Sequence, residues 1–347
     1  MMGKVLVTGA TGFIGGQLAE ALLARGNDVT CLVRHAAAGE RLKSLGARVI
    51  EGNVTAPESL TAAVAQVDTV FHLAGVIRTI DAADFHRVNA GGVAHLLDAC
   101  RVRTTPPTVV IVSSLAAAGP SLNGRPRKED DPPRPVSNYG RSKLAGEIEA
   151  AARAGQVPIT IVRPPIVLGE GDRVGLAMFR MIARYRTHLV PGLARSMLSV
   201  VHVADLVAAL IAAAERGTRL PAPDGDSNGA AMGERVDSRG YYFIAGDEDP
   251  TYGRLGRMVG EAAGRRRMLV IPVPSGLVWP IATCVEATGR VRRRAPFAGI
   301  DKAREALAGH WTCSPARARV ELGFAPAASL PERLRQTAEW YCRQGWL

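Results

Sequence analysis

A glycine-rich turn inside the first fifteen residues constrains this chain more than any other feature. Val5-Leu6-Val7 is a continuous apolar run with the character of a buried strand. Thr8-Gly9-Ala10-Thr11-Gly12-Phe13-Ile14-Gly15 then leads directly into an Ala- and Leu-rich helical stretch. In such a strand–turn–helix, Gly9 permits the tight turn, Gly12 lets the backbone approach a pyrophosphate, and Gly15 lets the helix pack closely on the strand. The unpaired N–H groups and the dipole of the helix N-terminus favour the negative charge. The turn predicts a dinucleotide-binding α/β fold.

The rest of the first half supports that expectation. Short β-branched runs at 5–8, 29–33, 49–51, 69–73, 109–113 and 159–163 alternate with helical stretches such as 17–25 and 93–101. Continuous apolar strands alternating with helices predict a doubly wound parallel sheet covered on both faces, the Rossmann arrangement. After Arg163 the rhythm breaks at Pro164-Pro165, and a helix at 175–186, a strand at 199–203 and a helix at 206–216 follow. Residues 220–240 are rich in Gly, Pro, Asp and Ser and predict a loop, and 241–245 a further strand. We expect a nucleotide-binding domain over 1–165, completed by 199–216 and 241–246. A smaller, mainly helical substrate lobe takes 166–198 and 217–347. In its tail, Ser314-Pro315 starts a helix that Gly323 ends, and Ser329 with Glu332 forms a capping-box pattern.

Which dinucleotide is expected follows from the second strand. NAD-selective sites place an acid at its end for the ribose 2′-hydroxyl. Here the strand ends Cys31-Leu32-Val33-Arg34-His35, with no acid. Arg34 can pair with a 2′-phosphate and stack on adenine, helped by Arg41 and Lys43, so NADP(H) is preferred with NAD(H) as the alternative.

Three residues form a proton-relay pattern. Tyr139 and Lys143 stand four apart in the helical segment NYGRSKLAGE, which puts both on one face. A free phenol titrates near ~10, and an adjacent ammonium is expected to lower that value. Ser114 ends a strand in TVVIVSSLAAAG, at the carboxyl edge of the sheet, where its hydroxyl can hold a substrate oxygen. Ser113 is the adjacent candidate, and the spacing to Gly119 favours Ser114. His72 and His202 are expected to pack at strand ends.

With the glycine turn, the strand-end serine and the Tyr-x-x-x-Lys pair in place, the whole chain resembles the extended short-chain dehydrogenase/reductases, the NAD-dependent epimerase/dehydratase superfamily. FHLAG at 71–75, Asn89, RPPIVLG at 163–169 and VHVADL at 201–206 match that family's landmarks. The resemblance implies that Tyr139 is the acid/base, that Lys143 orients the ribose, that Ser114 stabilises the carbonyl or alkoxide, and that Asn89 supports a water relay. It also implies a cofactor surface that includes Thr11, Phe13, Ile14, Leu73, Ala74, Gly75, Pro164 and Ile166. Asn53-Val54 stands where the family usually has an Asp beside the adenine. The family often dimerises through the helices equivalent to 93–101 and 139–153, which implies a homodimer.

Two departures bear on substrate. Sugar-nucleotide epimerases and dehydratases of the family usually have an Asn after the sixth strand and an Arg four or five positions before the equivalent of His202. This chain has Arg163-Pro164-Pro165-Ile166 and Met197-Leu198-Ser199, with Arg195 nearby. With an apolar lobe at 269–285, this predicts a small lipophilic substrate. The resemblance to dihydroflavonol-reductase-like and 3β-hydroxysteroid-dehydrogenase-like members, carried also by HWTCSPARARVELGFAP, implies hydride transfer to or from a ketone or secondary alcohol. The alternatives are a sugar-nucleotide epimerase or dehydratase holding NAD tightly, and a non-catalytic dinucleotide-binding sensor or assembly factor.

The 347 residues carry a formal net charge of +11. Arginine runs at 265–267 and 290–294 are not interleaved with aromatic residues, so nucleic acid is not an expected partner. They flank 268–287, which is mostly apolar but holds three prolines and Glu286, a poor membrane-spanning helix. A strand and helix lining the substrate lobe is the expectation there, with peripheral membrane contact as the alternative. The five cysteines are scattered without metal-ligand spacing, so no metal is expected. A cytoplasmic location, with membrane association as the alternative, follows by default.

Overall fold

The computed structural model describes residues 2–121, 124–192, 196–223, 237–265, 267–296 and 298–347. Among these lie the strands β1 (Lys4–Thr8), β2 (Asp28–Val33), β3 (Arg48–Glu51), β4 (Thr69–His72), β5 (Thr108–Val112), β6 (Ile159–Arg163), β7 (Ile166–Leu168), β8 (Thr187–Pro191), β9 (Val200–His202), β10 (Tyr241–Phe243) and β11 (Leu269–Val273). Helices α1 (Phe13–Ala24), α2 (Glu40–Ser44), α3 (Glu58–Val64), α4 (Ala82–Asn89), α5 (Gly91–Arg101), α6 (Leu115–Ala118) and α7 (Asn138–Ala151) fill the first half. The second half adds α8 (Gly175–Tyr185), α9 (Val203–Arg216), α10 (Tyr252–Ala262), α11 (Ser275–Val291), α12 (Ile300–Leu307), α13 (Ala316–Leu322) and α14 (Leu330–Arg343).

The main sheet has seven parallel strands in the order β10-β6-β5-β4-β1-β2-β3. Its order reverses between β1 and β4, which opens the ligand crevice at their carboxyl ends. Strand alternation divides the core between the two faces. Val5 and Val7 pack with α1 and α9 residues such as Leu18, Leu22, Leu206 and Leu210, whereas Leu6 packs with Leu60, Leu96 and Leu97 of α3 and α5. Leu6, Leu18, Leu22, Leu96 and Leu97 are fully buried, each contributing about 1.5–3 kcal/mol. A third core joins α8, α10 and α14 through Phe179, Leu255, Val259 and Tyr341.

The strand expected at 199–203 forms as β9, but it pairs with β7 rather than with the main sheet. Strand β8, which had no separate signal, pairs with β11. The capping box expected at Ser329 and Glu332 does not form. Ser329 occupies the N-cap of α14 without a side-chain hydrogen bond, and the Glu332 carboxylate turns to Arg335 and Gln336. Pro315 sits at the N-cap of α13 rather than at its first helical position, while Gly323 does end that helix, in the left-handed conformation. Of the loop expected at 220–240, residues 224–236 lie outside the described residues, as do Arg195 and Arg266.

Candidate active site

The glycine turn is built as a close approach of backbones. Gly9 has φ +72°, and a Cβ there would lie 2.7 Å from the Ala74 nitrogen. At Gly15 a Cβ would lie 2.2 Å from the Gly9 carbonyl oxygen. Gly12 donates its N–H to Gly9 O at 2.9 Å and forms the extended N-cap of α1, which has no side-chain cap. The first-turn donors of α1 are thus available to an anion. Thr11 and Gly12 are exposed, whereas Phe13 and Ile14 pack against the core. Thr8 Oγ1 bonds His72 Nδ1 at 2.9 Å and accepts the Ala74 N–H at 3.2 Å, which ties Leu73 and Ala74 to the turn.

Arg34 follows β2 immediately and is exposed. The carboxylate nearest by register, Glu51 opposite Val33, accepts the Ala36 N–H at 3.1 Å. Lys43 is exposed as well, but Arg41 is paired with Glu20 at 2.6 Å. Asn53 closes a local turn, its Oδ1 accepting the Thr55 N–H at 3.1 Å, and the Val54 side chain is buried. These features suit an adenine dinucleotide along α1 and β2: an uncapped helix start, a turn too tight for side chains, and a strand end carrying a cation rather than an acid.

On the other side of the switch point, Ser137 caps α7 by accepting the Gly140 N–H at 2.9 Å and so sets the register of Tyr139 and Lys143. The Ser114 hydroxyl lies beside the Tyr139 phenol and offsets part of the rise that burial imposes on its pKa. Ser114 Oγ also accepts the Ala116 N–H at 3.1 Å as the N-cap of α6. The neighbouring Ser113 is committed elsewhere: its hydroxyl donates to Glu147 Oε1 inside the core. The geometry therefore separates the two serines and brings Ser114 to the phenol.

Lys143 Nζ donates to the Val112 carbonyl at 2.7 Å. Gly75, Asn89 and Lys143 converge, since a Cβ on Gly75 would lie 2.9 Å from Asn89 Oδ1 and 3.9 Å from Lys143 Nζ. The Asn89 amide is fully engaged: Oδ1 accepts the Val76 N–H at 2.8 Å, and Nδ2 donates to Val76 O and to Ser142 Oγ. It pins the loop after β4 to α7. Pro164, buried, accepts the Leu115 N–H through its carbonyl at 2.8 Å, and Ile166 is exposed at the start of β7.

Electrostatics correct one expectation. The Tyr139 phenol is not lowered by Lys143 but pushed up to about 12, mainly by burial, against the relief given by Ser114 and with Glu305 adding to the rise. The lysine spends its ammonium on the Val112 carbonyl, and burial brings it down to about 8 against the pull of Glu147. His72 is driven down to about 3 by burial and then by Lys143, so its imidazole is neutral, and its Nε2 has no hydrogen-bond partner.

Several residues with no local sequence signal also build the site. Glu147, two helical turns beyond Tyr139, takes Arg163 Nε at 2.9 Å and Nη2 at 2.5 Å, and Arg163 stacks over Tyr241 with 4.5 Å to the ring centroid. Arg127, wholly buried, donates to the carbonyls of Ala118, Pro120 and Pro132 and fixes the path from α6 to α7. Helix α12 closes on the start of α7. Asp301 accepts the N–H groups of Asn138 and Tyr139, Glu305 accepts the Ser137 hydroxyl at 2.6 Å, and Lys302 Nζ lies 5.2 Å from the Tyr139 ring centroid.

Residues 5–225 match the model of the NAD dependent epimerase/dehydratase family. The chain is 31% identical over 349 residues to ceramide reductase of Caulobacter vibrioides, covering 99% of this chain and 96% of the relative. It is 30% identical over 269 residues to 4-hydroxy-2-methyl-3-oxo-4-farnesyl-3,4-dihydroquinoline-1-oxide ketoreductase of Stigmatella aurantiaca, covering 75% of this chain and 77% of that one. A solved structure of UDP-glucose 4-epimerase from Thermotoga maritima with UDP-glucose superposes with a TM-score of 0.76 over 98% of this chain and 99% of that one; at 20% identity this likeness concerns the fold.

Proposed function

The chain belongs to the NAD-dependent epimerase/dehydratase family of extended short-chain dehydrogenase/reductases, and we propose that within it the protein is an NADP(H)-dependent ketoreductase for a lipophilic ketone or the corresponding secondary alcohol. The observation that carries this reading is the placing of the Ser114 hydroxyl beside the Tyr139 phenol, with Lys143 one helical turn on, at a carboxyl sheet edge with exposed apolar neighbours. Ile77 and Ile80 follow β4 and Ile166 opens β7, all three exposed. No Asn follows β6, and Met197 and Leu198 hold the stretch before β9. Two relatives, one named a ceramide reductase and one named as the ketoreductase of a farnesylated quinoline oxide, support the same substrate class.

When bound, the nicotinamide supplies or accepts hydride. Arg34 would hold the 2′-phosphate, the α1 N-terminus the pyrophosphate, and Lys143 the ribose near Gly75. A phenol held near 12 stays protonated at neutral pH and donates to a substrate oxygen that Ser114 also bonds, which suits the reductive direction. Asn89 positions rather than reacts, because both ends of its amide are already engaged. A homodimer through α5 and α7 belongs to the same reading and is supported by the exposed Ile148 and by Val102 at the end of α5.

The test is a panel of long-chain and polycyclic ketones with NADPH or NADH, run beside UDP- and dTDP-sugars. Reduction of an apolar ketone with preference for NADPH supports the proposal. Interconversion of a nucleotide sugar with retained NAD and no net redox would replace it with an epimerase. Firm NADPH binding without turnover on any of these would leave a dinucleotide-binding sensor.

A further inference from the structure

Helix α11 is seventeen residues long, and among the described residues only its Ala282 is buried. The face opposite Ala282 carries Leu277, Ile281, Cys284, Thr288 and Val291, spaced by four, three, four and three residues, which aligns them in one stripe along the helix. All five are exposed, Leu277 at 56%, Ile281 at 53% and Val291 at 85%, and the stripe holds no charged side chain. Trp279, 41% exposed, lies on the other side of the helix, near Glu286. The one acid of the helix, Glu286, points to the other side and accepts the Ile300 N–H at 3.0 Å.

The preceding strand continues the apolar surface. Leu269 and Ile271 share one face of β11, and Leu189 of β8 lies in register with Ile271; all three are exposed. Cations bound the segment at both ends. Arg265 and Arg267 precede β11 and, with Arg186, line an open groove that Glu261 also borders. Arg292, Arg293 and Arg294 follow α11, exposed and with no carboxylate partner among the described residues. No helix among the described residues is long and apolar enough to cross a membrane.

We propose that the β11–α11 segment is a docking face that lies on the surface of an anionic lipid bilayer. The stripe enters the headgroup boundary while the arginines at both ends meet lipid phosphates. Charge decides between this occupant and a second copy of the chain. A partner carrying the same +11 balance would bring arginine against arginine, whereas an anionic bilayer complements both ends at once. Helix α12 links the face to the reactive phenol, since it packs on α11 through Ile300 and on α7 through Asp301. A lipid-embedded substrate would then be met on the side from which α12 reaches Tyr139.

The experiment is vesicle co-sedimentation of the full chain, with phosphatidylcholine alone and with phosphatidylglycerol added. Partition onto the phosphatidylglycerol vesicles is expected to be at least ~10-fold stronger and to fall as salt rises. Two variants, R292Q/R293Q/R294Q and L277S/I281S, should each lose about 10-fold or more of it while keeping the wild-type melting temperature. No binding to either vesicle overturns the proposal. So does equal binding that ignores charge, or a concentration-dependent dimer that L277S/I281S abolishes, which would make a second copy the occupant.

Discussion

Asp301 stands 162 residues along the chain from Tyr139, yet its Oδ2 accepts the Tyr139 backbone N–H at 3.1 Å while Oδ1 takes the Asn138 N–H at 2.7 Å. These are first-turn donors of α7, which an α-helix cannot satisfy internally. A carboxylate at a helix N-terminus is favoured by about 0.3–1 kcal/mol, rising to ~2 when partly buried. Helix α12 thereby holds the start of α7 at Asn138 and Tyr139. D301A is expected to lower stability by about 1–2 kcal/mol and to cut kcat/KM several-fold with NADPH affinity unchanged. Thermal melts, initial rates and a cofactor titration check this together; an unaltered kcat/KM would show that α12 does not position Tyr139.

Ser113 and Ser114 should respond oppositely to alanine. S113A leaves Glu147 short of a buried donor, which costs about 1–3 kcal/mol of stability. S114A removes the hydroxyl beside the phenol and should cost about 10–100-fold in kcat with a smaller loss of stability. Side-by-side melting and turnover of the two variants decides it, and equal turnover would return the oxygen-holding role to neither.

The pH profile of cofactor binding follows from Lys143. Its ammonium titrates near 8, below the ordinary lysine value, because of burial. Below that pH the charged form is present to attract the ribose and phosphates; above it the charge is lost, so affinity falls as pH rises through about 8. The loss should approach about tenfold per pH unit. K143R, whose guanidinium stays charged, should flatten the profile. Isothermal titration from pH 6 to 10 (an interval of about two units either side of that pKa) measures both, and a flat wild-type curve would contradict the assignment.

Arg34 carries the choice between dinucleotides. R34A is expected to weaken NADPH by about 10-fold or more, a charge-assisted bond of ~1.5–3 kcal/mol, and to leave NADH within twofold. Equal weakening of both would mean that Arg34 touches adenine or nothing at all.

The alternation of strands and helices was legible in the sequence because each crossover is local and each buried strand is continuously apolar, as at Val109–Val112. That Tyr139 and Lys143 share one helix was legible for the same reason, since they stand four residues apart. Contacts made across long separations were not. Nothing around Asp301 or Glu305 marks them as partners of Ser137, Asn138 and Tyr139, and Glu147 gives no sign that Arg163 and Ser113 will meet it in the core. The expected fall in the phenol's pKa failed for a related reason. Proximity to Lys143 was inferred from spacing, but the ammonium is drawn to the Val112 carbonyl, and burial then dominates the phenol. In the tail, the Glu332 carboxylate had two possible partners, and Arg335 outcompetes the helix start.

In the proposed reaction Tyr139 protonates a lipophilic ketone as NADPH is consumed. Single-turnover loss of nicotinamide absorbance with a long-chain ketone, in the wild type and in Y139F, tests it most directly. Stoichiometric NADPH oxidation by the wild type is expected, with a rate at least ~100-fold lower in Y139F and NADPH affinity retained. Wild-type-like turnover by Y139F, or a wild type that leaves NADPH unconsumed while interconverting a nucleotide sugar, would contradict it.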